Sequence, residues 1–226
     1  MQALGKLRTS VSRFHIKDKE QVMFGKIASE ALGLSDIGRV ISPENYNKVE
    51  ADDYIKHETG EKIFFLIKSK TDEYCFTNFA LLHLDGNTAL SKKRLLKRYE
   101  YINADIRNVL LETAGTIDLD VELKFRIHST DFSIDVHKEH IEQLKDIYKA
   151  LTEISLLMEA EQRDLQTVEK SLSHVVNSLA RQGGEGSNIA NQARELYSFY
   201  HDTLSDAMSQ AYRKDYSSVF ETFIKN

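Results

Sequence analysis

The sequence contains a single cysteine, Cys75, among its 226 residues. No intramolecular disulfide can form. That excludes a small secreted fold held by cross-links and fits a reducing compartment. No apolar run is long enough to cross a membrane. Lys6, Arg8 and Arg13 near the start are followed by no apolar core, so this stretch does not read as a secretory signal. Positive charge is not in excess. The 30 lysines and arginines against 35 aspartates and glutamates leave a net charge of −5, and such a field does not favour nucleic-acid binding. These absences predict a cytoplasmic, soluble chain, with peripheral contact at the inner membrane face as the membrane role left open.

Glycine and proline are missing altogether from Lys138 to Gln182. An unbroken helix over that stretch would span roughly 65 Å at 1.5 Å per residue. What fills it is a heptad. Leu144, Leu151, Met158, Leu165, Leu172 and Leu179 are seven residues apart, and Ile147, Ile154, Val168 and Val175 form a second row three residues on. Such spacing places one apolar seam on a helix and demands burial against other elements. Glu161 alone breaks the second row, and is expected to mark a bend or set register. Two coverings of the seam are open: the following helix of the same chain, or other copies.

The rest of the chain is organised around a few punctuating residues. Residues 1–22 hold five basic side chains and two acids, and read as an N-terminal extension. Residues 23–58 read as a helical segment, with a short helix over 23–34. A second helix is predicted from Pro43, the chain's one proline, to about Ile55, because proline suits the first helical position after Ser42. Gly60 then closes a turn. Strands are predicted over Ile63–Ile67, Tyr74–Phe79, Leu81–Leu84, Leu90–Tyr101 and Ile106–Glu112.

The clearest strand is Ile117 to His128, in which every odd residue is apolar and every even one polar. This alternation predicts an antiparallel sheet with one wet face. Ser129-Thr130-Asp131 is read as the turn into a partner strand carrying Phe132, Ile134 and Val136. After the long helix, Gly183 to Ser187 forms a link. A second helix then runs from Asn188 to Lys214, giving an antiparallel helical hairpin. Ser217–Ile224 offers Val219, Phe220 and Phe223 for docking.

About seven strands followed by a helix suit the pleckstrin-homology (PH) plan. The segment Glu30 to Gly38, with Ile41-Ser42-Pro43 after it, resembles the opening of bacterial PH domain proteins. Glu61 to Gly86 looks like their first strands, and Thr113 to Val136 fits the later ones. Residues 138–226 resemble the YvbH-like oligomerisation region that follows such domains. The resemblance implies an α+β fold: a PH-like, partly open antiparallel β-barrel of about seven strands with a capping helix, N-terminal helices and a C-terminal helical hairpin. The barrel with its capping helix would occupy 59–155, and the hairpin 156–226. The resemblance further implies a ring-like homo-oligomer, a pentamer being one form. It implies a non-enzymatic scaffold or adaptor whose partners are its own copies and a protein not named by the sequence. The oligomerisation residues would be Leu144, Ile147, Leu151, Ile154, Met158, Leu165, Val168, Leu172, Val175 and Leu179.

The alternative function is a peripheral module contacting anionic lipid headgroups. Its residues would be Lys92, Lys93, Arg94, Lys97 and Arg98, the densest basic cluster. The competing reading is a solvated strand face paired with acids such as Glu122. The first hairpin loop, Lys68-Ser69-Lys70-Thr71-Asp72-Glu73, offsets two lysines with two acids and departs from the phosphoinositide pattern. Gly33 to Gly38 has the glycine spacing of a phosphate loop but lacks its lysine and hydroxyl. His137 and His140 have zinc-compatible spacing and no identifiable third ligand. Asp118, Asp120 and Glu122 read as a wet strand face, and Cys75 as a buried small hydrophobe. No nucleophile–base arrangement stands out. No catalytic residue, metal site or cofactor is predicted.

Overall fold

The computed structural model describes residues 35–86, 94–102, 104–113, 120–182, 189–212 and 215–225. The N-terminal extension, the helix predicted at 23–34, Lys92 and Lys93, and the link predicted at 183–187 lie outside the described residues. One sheet has five strands in the order β1 (Arg39–Val40), β2 (Ile63–Lys68), β3 (Glu73–Thr77), β4 (Ala80–Asp85) and β5 (Leu95–Glu100). A second has three, β6 (Ile106–Thr113), β7 (Asp120–Ile127) and β8 (Thr130–His137). All neighbouring strands are antiparallel. The long helix α1 covers Ile141–Gln182, followed by α2 (Ile189–Ala211) and α3 (Ser217–Phe223).

Gly38 joins the two sheets. Its N–H donates to the Asp135 carbonyl at 2.8 Å, and its carbonyl accepts from His137 N–H at 2.9 Å. A Cβ here would lie 2.8 Å from the Ile67 methyl and 3.0 Å from the Asp135 carbonyl. Glycine is required for this backbone approach, which gives Gly38 a structural role.

The two sheets burden their strands differently. Phe65, Ile67, Phe76 and Leu81 point into the main core, with Leu123, Phe125, Ile134 and Val136 from the second sheet. Leu66, Cys75, Leu82 and Leu84 point the other way, into a second core beneath residues 41–55. Strands β2–β4 are therefore buried on both faces, which explains the unbroken apolar run at Ile63–Ile67. β7 has one wet face, and keeps its strict alternation.

The predicted helix from Pro43 to Ile55 is corrected. The structure has two short 3₁₀ helices, Pro43–Lys48 and Glu50–Tyr54, broken at Val49, whose backbone is extended (φ −98°, ψ 153°). Ile41, Val49, Ala51 and Ile55 all have to reach the second core. Their spacing is not a helical stripe, and the break re-aims Val49 and Ala51. The Glu73 carboxylate accepts the Ala51 N–H at 2.8 Å and holds this turn in place. The turn before β8 is also corrected. His128 and Ser129 make it, with His128 at φ 53°, and Thr130 already pairs with Ile127. The long helix begins with a 3₁₀ turn, Lys138–His140, before α1 proper.

Candidate interaction surfaces

The heptad seam divides in two. Leu144, Ile147, Leu151, Ile154 and Met158 are buried in the main core, so the first half of α1 seals the sheets of its own chain. Each such side chain is worth about 2 kcal/mol of burial. Beyond Met158 the seam loses the sheets. Leu172 is still buried, Leu165 and Val168 are half-buried, and Val175 is 45% exposed. The side chain of Leu179 lies outside the described residues. α2 packs on this distal part of α1. Its Leu196, Tyr200, Leu204 and Ala207 are half-buried, while Tyr197 (69%), Phe199 (54%) and Met208 (40%) are exposed. The two helices thus leave large apolar side chains exposed, with Tyr197 and Met208 on one flank of α2 and Phe199 on the other.

Glu161 sits where the seam leaves the sheets. It lines a cleft of about 520 Å³ together with Tyr101, Ile106, Met158, Arg163 and Tyr212. A polar residue in the second heptad row is explained by that position, because the row here faces the cleft. α1 is nevertheless anchored beside it, since Ser155 Oγ donates to the Ile106 carbonyl at 2.5 Å.

Among the described residues of the basic cluster, Arg94, Lys97 and Arg98 are each paired with acids. Arg94 pairs with Glu50 at 3.1 Å and Lys97 with Asp85 at 3.2 Å. Arg98 reaches Glu61 at 2.9 Å and Glu100 at 2.7 Å. Burial alone would raise the Glu61 carboxyl, but hydrogen bonds from Thr77 and Arg98 outweigh it and hold it below its usual range. The acids differ from the one named above. Glu122 pairs with Lys124 at 2.8 Å on the other sheet, too far along the fold to serve β5.

The first hairpin loop is tied into the fold in the same way, although Lys70 is exposed. Lys68 forms an ion pair with Glu73, and both residues are buried. Ser69 Oγ accepts from the N–H groups of Thr71 (3.2 Å) and Asp72 (2.9 Å), and Asp72 pairs with His83 at 3.3 Å. Burial pushes the Asp72 carboxyl up, yet hydrogen bonds from His83 and Thr71 leave it lowered.

The remaining candidates stay apart from one another. His137 and His140 both approach Glu139, at 3.6 and 3.3 Å, and burial pushes the His140 imidazole down. Among the described residues no three or more His, Cys, Asp or Glu side chains gather as a metal site would require. Asp120 and Glu122 lie on the wet side of β7, and Asp118 falls outside the described residues. Cys75 is a free, fully buried thiol whose pKa burial drives well upward, which keeps it unreactive. No helix among the described residues is long and apolar enough to cross a membrane.

The sequence reading missed an aromatic anchor. Phe220 of α3 stacks on Phe64 of β2 with ring centroids 5.2 Å apart, and Tyr216 meets Tyr101 edge-on at 5.8 Å. The Tyr216 N–H donates to the Asn78 carbonyl at 3.0 Å. The docking of Val219, Phe220 and Phe223 was legible, but not the surface that receives them.

Two antiparallel sheets closed by a long helix, with further helices at the C-terminus, are the architecture of a PH domain with a helical extension. The chain belongs to the bacterial PH domain family, whose model matches residues 31–155, and residues 166–226 match the YvbH-like oligomerisation region. It is 51% identical over 204 residues to the uncharacterized protein YvbH of Bacillus subtilis (strain 168), covering 90% of this chain and 100% of that one. It is also similar to the crystal structure of a PH domain containing bacterial protein from Exiguobacterium sibiricum 255-15. There the TM-score is 0.76 at 47% identity, over 84% of this chain and 100% of the other. A DUF1696 family protein with a pleckstrin-homology domain from Shewanella loihica PV-4 matches 54% of this chain and 99% of its own, at 22% identity and a TM-score of 0.40.

Proposed function

We propose that the protein is a non-enzymatic, cytoplasmic PH-domain scaffold that assembles into a ring-like homo-oligomer and presents a protein-interaction surface as an adaptor. The observation that carries this reading is the set of exposed apolar side chains on the distal helices, Val175, Tyr197, Phe199 and Met208. They lie within the residues that match the oligomerisation region. Packing of helical hairpins from neighbouring copies would cover them.

Ring closure has its own support. Among the described residues β5 and β6 are edge strands of different sheets, and they expose Leu95, Leu96 and Leu110. An edge from one sheet joined to a different edge of the next copy gives a head-to-tail contact, and head-to-tail contacts close into rings when the rotation allows. A ring of five is the form we favour. Multiple copies of one weak interaction surface would then act together on a partner.

The test is the solution mass of the full chain beside a variant carrying Val175→Asp and Tyr197→Asp, both exposed on the single chain. An assembly that dissociates in the variant supports the reading. A monomeric full chain, or a variant of unchanged mass, removes it. Truncation at Lys138 is unsuitable, because it deletes the half of α1 that fills the core.

A further inference from the structure

A shared carboxylate stands at the entrance to α1. Glu139 lies in the 3₁₀ turn Lys138–His140 that leads into the helix. Its Oε1 is ion-paired with Arg39 of β1, and the same oxygen lies 3.3 Å from His140 Nε2. Its Oε2 lies 3.6 Å from His137 Nδ1. The pair with Arg39 fastens the short strand β1 to the start of the helix that closes the domain.

His140 is the enclosed member of this group, with a side chain 15% exposed. Its Nε2 is buried and makes no hydrogen bond among the described residues, because the approach of Glu139 lacks the alignment of one. A neutral imidazole is tolerated in such a place, whereas an imidazolium needs an acceptor. The charged and titratable groups facing it are Arg39 from β1, His137 from the end of β8 and Glu139 from its own turn. Asp120 of β7 is in register with His137. Burial is the largest influence and lowers the His140 pKa. Glu139 pulls the other way, and Arg39 and His137 lower it further.

We propose that Arg39, Glu139 and His140 form an acid-released clasp. While His140 is neutral, Glu139 Oε1 fastens β1 to the entrance of α1. A proton on His140 makes its Nε2 a charged donor that competes with Arg39 for that oxygen, sets a second cation beside the guanidinium, and loosens the first turn of α1. Leu144, one turn further on, is sealed in the main core, so the loosening is confined to the turn before it. The direction follows from linkage. A base that holds its proton more weakly in the closed state makes acid favour the loosened one, and the effect sets in as the pH falls below the ordinary imidazole value of about 6.5. The clasp lies within one chain, so it stands whether or not copies assemble.

Hydrogen exchange of the full chain at about pH 7.5 and about pH 5.5, corrected for the intrinsic pH dependence of exchange, tests the proposal. Opening at the amides of residues 139–145 is expected to rise about threefold or more on acidification, relative to the amides of β3 and β4. In His140→Gln, which carries no charge at either pH, that rise is expected to vanish. An unaltered chain with equal relative protection at both pH values overturns the proposal, and so does a His140→Gln chain that keeps the full rise. Should His140→Gln not fold, the NMR titration of the His140 imidazole in Arg39→Gln decides. Losing Arg39 removes both the competitor for Oε1 and the opposing charge. The His140 midpoint is then expected to move to higher pH, because the coupling between two sites is reciprocal. An unmoved midpoint overturns the proposal.

Discussion

Arg98 donates to Glu61 across 2.9 Å, and Glu61 is almost completely buried, so the most enclosed of the described cations in the basic cluster is tied to the most enclosed acid beside it. Thr77 Oγ donates to the same carboxylate at 2.6 Å, and the Lys56 N–H does so at 2.9 Å. A carboxylate with this many donors is a structural element.

Glu61→Leu should therefore lower stability by about 2 kcal/mol, since it leaves the Lys56 N–H and part of Arg98 without their acceptor inside the fold. The sign of the pH effect follows from the lowered carboxyl pKa. Its contribution is present above the ordinary carboxylate range and is lost as the pH falls through the depressed folded value. Urea midpoints measured at pH 7 and at about pH 4 should differ more for the unaltered chain than for the variant. Equal differences would refute the assignment.

The divided seam gives opposite outcomes for two substitutions of one heptad. Leu151→Ala should cost about 2–5 kcal/mol, because it opens a cavity in the main core. Val175→Ala should stay within about 0.5 kcal/mol for a single chain and act only on assembly. Thermal melts paired with light scattering separate the two effects.

Gly38→Ala should cost about 1–3 kcal/mol, as the added methyl meets Ile67 and the Asp135 carbonyl closer than van der Waals distance. The neighbouring backbone would have to open. Chemical denaturation measures the loss, and a neutral result would mean that the sheets can separate there without cost.

Anionic vesicles should not retain the protein by way of Arg94, Lys97 and Arg98, whose charges are paired within the fold. Sedimentation at low and at high salt reads this directly. Salt-sensitive binding that disappears in an Arg94→Gln, Lys97→Gln double variant would restore the lipid-contact reading.

Much of the architecture was legible in the sequence because period and burial agree. The alternation from Val121 to Ile127 appears as one buried and one wet face of β7. The glycine-free, proline-free stretch after Lys138 appears as α1. Residues 43–55 misled, because an acceptable helix start at Ser42-Pro43 says nothing of a second core that needs Val49 and Ala51 on the same side. The surfaces were harder to read. Lys68, Arg94, Lys97 and Arg98 are a basic pattern in one dimension, and only the fold brings Glu73, Glu50, Asp85 and Glu61 to them. A heptad likewise carries no mark to show where sheets stop covering it and other helices must begin.

The length of α1 has a mechanical consequence. One unbroken helix of 42 residues is both the lid of the PH domain and the spine of the distal helices. From Met158 to its end it extends about 36 Å beyond the core. No hinge separates the two parts, so force applied at the far end is delivered as torque to Leu144, Ile147, Leu151 and Ile154. Neighbouring copies that grip these spines would set the tilt of every domain at once, and a strained spine would be felt first inside the domain's own core.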